Sequence, residues 1–182
     1  MVFTMLIHPH AGVLYTNLYH GLPSMPNQLI LASTSAIRAS LLDQAGVTFT
    51  IMPARIDEES FLESLMVEKL SPRNIADTIA EFKARRISAK HPAPLVLGCD
   101  QILELDGIIF AKPKTQHELR SQLQDLCGRT HTAYSAAVIY QASQPIWRFI
   151  GKTQLTMHKF SEPFLTSYIE KHWSNVRHCV GG

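Results

Sequence analysis

The stretch LVLGCDQILEL at residues 95–105, with Asp106-Gly107 and Ile108-Ile109-Phe110 after it, decides the fold of this chain. A long, mostly apolar run bounded by turn residues predicts a buried β-strand. Asp-Gly between two apolar runs is a strong signal for a two-residue hairpin. A hairpin joins antiparallel strands, so the sheet that contains residues 95–105 is predicted to be mixed, not purely parallel.

The sequence on either side of this hairpin alternates between strand and helix patterns. Apolar or alternating runs predict four further strands, at residues 28–32, 47–52, 130–140 and 146–157, with a Ser-Gln-Pro turn between the last two. Capping residues predict helices that begin after Ser35, at Asp57-Glu58-Glu59, at Ser71-Pro72, at Thr115 and at Ser161. The expected fold class is therefore α/β, with a mixed sheet flanked by helices.

The composition is that of a globular protein with one domain of ordinary size. The chain has 182 residues, of which 46% are hydrophobic and 18% charged, which excludes a disordered or fibrous protein. Its 17 Lys and Arg against 15 Asp and Glu leave a net charge of +2, so a nucleic-acid-binding face is not expected. The three cysteines form no CxxC pair, which favours a reducing compartment and argues against structural zinc.

The chain divides into an N-terminal extension, residues 1–26, and a domain over residues 27–182. No Lys or Arg precedes Arg38, so the extension lacks the charged start of a secretory signal. No apolar run approaches the ~18 residues of a membrane span, and no membrane association is expected. His8 and His10 could bind a metal ion, but a loose tail is the stronger interpretation.

Asp100 is the most unusual charged residue, because it lies in the middle of the predicted strand 95–105. An ionised carboxylate in such a place costs several kcal/mol unless a metal ion or hydrogen bonds compensate it. One interpretation is functional. The alternative is an aspartate at a β-bulge, hydrogen-bonded to the backbone.

Other candidates are individually weak. Lys83 and Lys112, taken alone, are typical of solvated surface lysines, and Glu58 of an acidic residue that opens a helix. Arg38, one turn after the Ser33-Thr34-Ser35 cluster, is suited to clamping a phosphate at a helix N-terminus. Together these carboxylates, cations and hydroxyls fit a substrate that is a polyphosphate bound with Mg²⁺.

At this point the ordered motifs closely resemble one known family. LILASTSAIRASLL, IDE, AEFKA, LGCDQ with LDG and AKP, and CGRTH follow one another from about Leu29 onwards, as in the Maf family of nucleoside triphosphate pyrophosphatases. The resemblance implies an elongated mixed α/β fold of the Maf and inosine-triphosphatase type with a cleft between two lobes. It also implies hydrolysis between the α and β phosphates, a divalent cation (Mg²⁺ or Mn²⁺), a cytoplasmic location and a homodimer.

The resemblance also assigns roles to individual residues. Asp100 matches the general base and metal carboxylate, and Glu58 a second metal ligand. Lys83 and Lys112 match the lysines that neutralise the triphosphate. The phosphate-binding loop and the turn that shapes the cleft correspond to Ser33, Ser35 and Arg38, and to Arg129 and Thr130.

Two departures from the commonest family pattern bear on the substrate. Ile37 replaces one of two arginines in the loop, and Gln101 replaces a threonine after Asp100. Both positions are associated with choice of the base, and this pair looks more like the branch that cleaves 7-methyl-GTP than the dTTP and UTP branch. The resemblance further implies that a C-terminal segment of the family is missing after Gly182. The alternatives are a dTTP/UTP pyrophosphatase and a nucleotide-binding regulator of division without turnover.

Overall fold

A computed structural model describes residues 28–181 of the chain as a mixed β-sheet with five helices. The strands are β1 (Leu29–Leu31), β2 (Phe49–Ile51), β3 (Leu95–Leu105), β4 (Ile108–Phe110), β5 (Thr130–Gln141) and β6 (Gln144–Thr156). The helices are α1 (Ala36–Gln44), α2 (Glu58–Val67), α3 (Pro72–Ser88), α4 (Gln116–Leu126) and α5 (Glu162–Val176). The predicted fold class is confirmed. The extension at residues 1–26, with His8 and His10, lies outside the described residues.

The sheet has the order β2-β1-β3-β5-β6, and β4 pairs with the far end of β3. β1 runs parallel to β2 and β3, whereas β4 and β5 run antiparallel to β3. The predicted hairpin is present, and both Asp106 and Gly107 have positive φ, as its two-residue turn requires. β3 is thus the strand that joins the parallel and antiparallel parts of the sheet.

The second hairpin differs from the prediction in the position of its turn. β5 and β6 pair from Thr130↔Thr156 to Gln141↔Gln144, so the turn is Ala142-Ser143 and not Ser-Gln-Pro. Both turn residues have positive φ, a conformation normally signalled by Gly or Asn. The sequence carried no such signal here, because Ala and Ser rarely occupy this region of backbone space.

Helix α3 forms the main core against one face of the sheet. Ser71 caps it by accepting the N–H of Asn74, and Pro72 occupies the first turn, as predicted. Its buried residues recur at helical spacing: Ile75, Ala76, Ile79, Ala80, Lys83, Ala84 and Ile87. They pack with Val96, Ile102, Ala136 and Val138 of the sheet. A lysine inside this stripe is the first sign of a functional site.

The far end of β3 is packed differently, on the opposite side of the strand. Leu103 and Leu105 contact Phe110, Leu126 and Ala133, and α4 packs against α5 in a separate apolar cluster. Gly128, with φ of +70°, ends α4 as predicted. Within residues 28–181 there is no helix of the length and hydrophobicity that a bilayer crossing requires.

Candidate active site

The site is centred on Lys83, which α3 carries into the protein interior. Its side chain is only 2% exposed, so the interpretation of this residue as a solvated lysine is wrong. Its ammonium nitrogen lies 2.8 Å from Asp100 Oδ1 and 2.8 Å from Glu58 Oε1. A buried ammonium needs such partners, because desolvation alone would cost several kcal/mol.

Asp100 reaches Lys83 from β3, where it faces α3. The register of β3 with β5 is continuous through Cys99↔Ala137, Asp100↔Ala136 and Gln101↔Ser135, so no β-bulge lies at this position. Lys83, not the backbone, supplies the hydrogen bond to its carboxylate. Burial raises the pKa of Asp100 above its usual value, although the positive charges of Lys83 and Arg38 oppose that effect.

Glu58 occupies the first turn of α2 and holds two cations at once. Asp57 caps the helix by accepting the N–H of Ser60, which leaves Glu58 free to point to the site. Glu58 Oε2 lies 3.6 Å from Lys112 Nζ, while Oε1 binds Lys83. Partial burial acts to raise the pKa of Glu58, but Lys83 and then Lys112 outweigh it, so the pKa is lowered.

The Ser33–Arg38 loop is pre-ordered for an anion. Ser33 is buried, and its hydroxyl accepts the Ser35 N–H at 3.2 Å and the Arg38 guanidinium at 3.1 Å. Ser35 caps α1 by accepting the N–H of Arg38 at 3.4 Å. Free amides and the positive end of the dipole at a helix start favour negative charge, as the hydroxyl cluster predicted.

The remaining predicted residues fall into two groups. Lys112 (59% exposed), Ile37 and Gln101 reach solvent at the edge of the cluster. Arg129 and Thr130 lie elsewhere: Arg129 pairs with Asp106 in the β3–β4 turn, and the Thr130 hydroxyl bonds to that of Thr156. Thr130 lies six positions along β5 from Ala136, the partner of Asp100, which is about 20 Å along a strand.

Two further residues at the site were not identified from the sequence. Gly98 allows β3 to approach α3, since a Cβ there would lie 2.1 Å from the Ala80 carbonyl oxygen. Cys99 lies within the field of Arg38 and Lys83, although burial dominates and raises the pKa of its thiol. The only sequence signal for Gly98 was its position, two residues before a buried aspartate. Cys99 had no such signal.

The donor set suits a hard divalent cation bound together with phosphate. The two carboxylate oxygens that hold Lys83 are each 2.8 Å from its nitrogen, and therefore no more than twice that distance apart. Mg²⁺ is typically held by one or two carboxylates, with substrate phosphates and water completing its coordination. The described residues contain no group of three or more His, Cys, Asp or Glu that could hold a metal ion.

The chain is similar to one known family and to named bacterial proteins. The Maf-like protein family matches residues 28–182. A nucleoside triphosphate pyrophosphatase of Roseobacter denitrificans is 50% identical over 157 residues, which cover 86% of this chain and 79% of that protein. One of Ruegeria pomeroyi is 47% identical and covers 85% and 77%. Among solved structures, a HAM1 protein from Coxiella burnetii covers 70% of this chain at 16% identity and a TM-score of 0.43. The chain belongs to the Maf family.

Proposed function

We propose that this protein is a nucleoside triphosphate pyrophosphatase, a hydrolase that cleaves the bond between the α and β phosphates to release a monophosphate and pyrophosphate. The observation that carries the proposal is the buried Lys83 between Asp100 and Glu58, beside the loop that holds Arg38. Relatives with up to 50% identity bear this activity as their name. The cytoplasmic location, the homodimer and the nucleotide as partner belong to the same proposal.

Asp100 is proposed as the general base. Lys83 bonds to Oδ1, and no hydrogen bond from another side chain of residues 28–181 reaches Oδ2. Oδ2 can therefore accept a proton from an attacking water molecule as the new O–P bond forms and pyrophosphate leaves. Lys83 keeps the carboxylate oriented, and its positive charge favours the ionised form that a base requires.

The cations are proposed to hold the triphosphate. Arg38 presents a planar guanidinium, already oriented by the Ser33 hydroxyl, to a phosphate oxygen. Lys112 is the most exposed cation of the cluster and is suited to the negative charge that develops on leaving pyrophosphate. Arg129 and Thr130 are proposed to shape the site at a distance, Arg129 through its ion pair with Asp106 in the β3–β4 turn and Thr130 through its bond to Thr156 of β6.

Glu58 and Asp100 are the residues that would hold a divalent cation. Such an ion, when bound, supplies electrostatic stabilisation of the phosphate oxygens. Lys83 occupies one oxygen of each carboxylate, so an ion held there would use Oδ2 of Asp100 and Oε2 of Glu58. Holding the ion is thus the alternative role of Asp100 to that of general base.

For the substrate we propose 7-methyl-GTP, with dTTP or UTP as the alternative. Ile37 is 61% exposed and Gln101 is exposed, so both side chains are accessible to a bound nucleotide. The amide of Gln101 offers both a donor and an acceptor, which suits the edge of a purine. Because residue 37 is Ile and not a second arginine, the loop carries one cation fewer. This disfavours a nucleotide with more negative charge than 7-methyl-GTP.

The test is pyrophosphate release by the 182-residue chain with Mg²⁺ or Mn²⁺ and a panel of 7-methyl-GTP, GTP, UTP, dTTP and CTP. Asp100→Asn should lower the rate by at least about a hundredfold, the lower range for loss of general-base catalysis. Asp43→Asn, an exposed aspartate of α1, is the matched control and should keep the full rate.

The outcomes separate the candidates. Release that is fastest from 7-methyl-GTP supports the whole proposal, whereas preference for dTTP or UTP supports the alternative substrate. Full activity in Asp100→Asn would remove Asp100 as the base. Nucleotide binding with no release from any substrate would favour the non-catalytic regulator.

A further inference from the structure

The edge of β3 that faces β1 and β4 is open in its middle. On this edge β1 pairs with Leu95–Leu97 and β4 with Leu103–Leu105. Residues 98–102 have a strand partner only on the other side, where β5 runs without a break. From residue 97 to residue 103 the gap spans about 20 Å at the usual rise per residue. Asp100 lies at its centre.

The backbone groups that point into this gap belong to Cys99 and Gln101. The Leu95 N–H donates to Gln28 and the Leu97 carbonyl accepts from Ala32, so odd-numbered residues of β3 direct their backbone groups to this edge. In an antiparallel strand the direction alternates from residue to residue. No backbone hydrogen bond within residues 28–181 connects Cys99 or Gln101 to the loop after β1 or the segment after β4.

Backbone N–H and C=O groups without a protein partner bond to water or to a ligand. Here the Cys99 carbonyl and the Gln101 N–H form an acceptor–donor pair two residues apart, facing the same way along a straight edge. Every nucleobase carries a ring acceptor or carbonyl next to an N–H or amino donor. This backbone pair therefore matches the edge of a planar base, and it lies next to the residue that we propose as the base catalyst.

We propose that the open edge of β3 binds the nucleobase, with the Gln101 N–H donating to a base acceptor and the Cys99 carbonyl accepting from the neighbouring base N–H. The inference rests on the proposed function and adds to it a backbone element of substrate recognition. Because the contact uses backbone atoms, the residue type at position 99 or 101 does not remove it. Side chains at positions 37 and 101 then adjust the preference among bases that all satisfy the backbone pair.

The first test uses pairs of substrates that differ in methylation of the base. The purine pair is 7-methyl-GTP and 1,7-dimethyl-GTP, assayed at mildly acidic pH. Both carry the 7-methyl group and the cationic ring, and only the first keeps the N1–H donor beside O6. N3-methyl-UTP and 5-methyl-UTP form the corresponding pyrimidine pair. We expect kcat/KM for the N1- or N3-methylated member to fall by about ten- to hundredfold against its matched partner, the usual effect of leaving a buried polar group unpaired.

The second test does not depend on turnover. In the ¹⁵N-labelled 182-residue chain the Gln101 amide should shift on addition of guanosine 5′-(α,β-methylene)triphosphate but not on addition of methylenediphosphonate, which lacks a base. Equal kcat/KM within each methylated pair would overturn the inference while leaving the pyrophosphatase intact. If no nucleotide is hydrolysed, the proposed function fails, and the amide shift alone decides. A Gln101 amide that moves equally with methylenediphosphonate would show a phosphate site and overturn the inference.

Discussion

The two faces of the sheet differ in how tightly their side chains are packed. On the face that α3 covers, Val96, Ile102 and Val138 are buried, and Gly98 permits direct contact between strand and helix backbones. On the opposite face one cross-strand row, from Ile51 through Leu31, Leu97 and Ile139 to Trp147, is apolar throughout. Its outer end is open, with Trp147 at 49% exposure and its neighbour Phe149 at 60%.

The difference shows where positional accuracy matters for the chemistry. Lys83 and Asp100 belong to the covered face, and their 2.8 Å contact depends on the exact separation of α3 and β3. Close-packed interiors respond to a single added methyl group, whereas open surfaces accommodate it. The catalytic pair is thus held by packing that the outer end of the opposite row does not share. Substitutions on the two faces should therefore have very different effects.

The largest expected effect follows from an added methyl group at Gly98. In Gly98→Ala the new Cβ would lie 2.1 Å from the Ala80 oxygen and 2.7 Å from the Ala84 nitrogen, both backbone atoms that cannot turn aside. Helix and strand must separate, and we expect the free energy of unfolding in urea to fall by about 3 kcal/mol. Pyrophosphate release should fall as well, because Asp100 moves relative to Lys83.

Gly151→Ala is the control for this comparison. It adds the same methyl group to β6, where a Cβ would meet only the Phe149 ring at 3.4 Å and the Ser135 oxygen at 4.0 Å. Its unfolding free energy should stay within about 0.5 kcal/mol of the parent value. Equal losses in the two variants would show that the covered face is no tighter than the open one.

A smaller effect is expected from pH, and it has opposite signs for the two carboxylates that share Lys83. The pKa of Asp100 is raised, so the folded state binds more protons there than the unfolded chain, and its contribution to stability falls as pH rises from 3.8 through the native pKa. The pKa of Glu58 is lowered. Its contribution is complete above 4.5 and is lost as pH falls through the native pKa.

Urea unfolding between pH 3 and pH 7 measures both slopes. Subtracting the curve of Asp100→Asn from that of the parent should leave a difference that decreases with pH. The same subtraction with Glu58→Gln should leave one that increases with pH. If both difference curves change with pH in the same direction, burial does not shift the pKa of Asp100 and Glu58 in opposite directions.

The fold could be predicted because its signals are local. The Asp106-Gly107 turn, the Ser71-Pro72 helix start and the Thr115 cap each depend on a few adjacent residues, and the structure confirms all three. Thr115 and Glu118 have the spacing of a capping box, and Thr115 accepts the Glu118 N–H as that motif predicts. The reciprocal bond differs, because the Glu118 carboxylate accepts the N–H of Lys114 and not that of Thr115. The turn at Ala142-Ser143 was missed, because pairing along two long strands imposes a conformation that its residues do not favour.

The site was harder to predict, because it is formed by contacts between residues that are far apart in the sequence. Apart from the family motif AEFKA, nothing near Lys83 distinguishes it from a surface lysine; its placement opposite Asp100, 17 residues away, makes it part of a site. Asp100 alone stood out, because a charge inside an apolar strand is costly wherever the strand lies. The open edge at residues 98–102 could not be foreseen, since it depends on how far β1 and β4 extend along β3.

The smallest expected effect belongs to the open face. Trp147→Lys replaces a half-exposed aromatic ring on β6 with a side chain that can extend into solvent, and Trp147 contacts Phe149 only as a loosely stacked pair with ring centres 6.3 Å apart. The free energy of unfolding should change by no more than about 0.5 kcal/mol, and pyrophosphate release should be unchanged. A loss comparable with that of Gly98→Ala would mean that this row is buried in the working protein, against a second copy or against residues 1–27. Sedimentation of the parent and the variant at several concentrations would then distinguish these two, because only contact with a second copy depends on concentration.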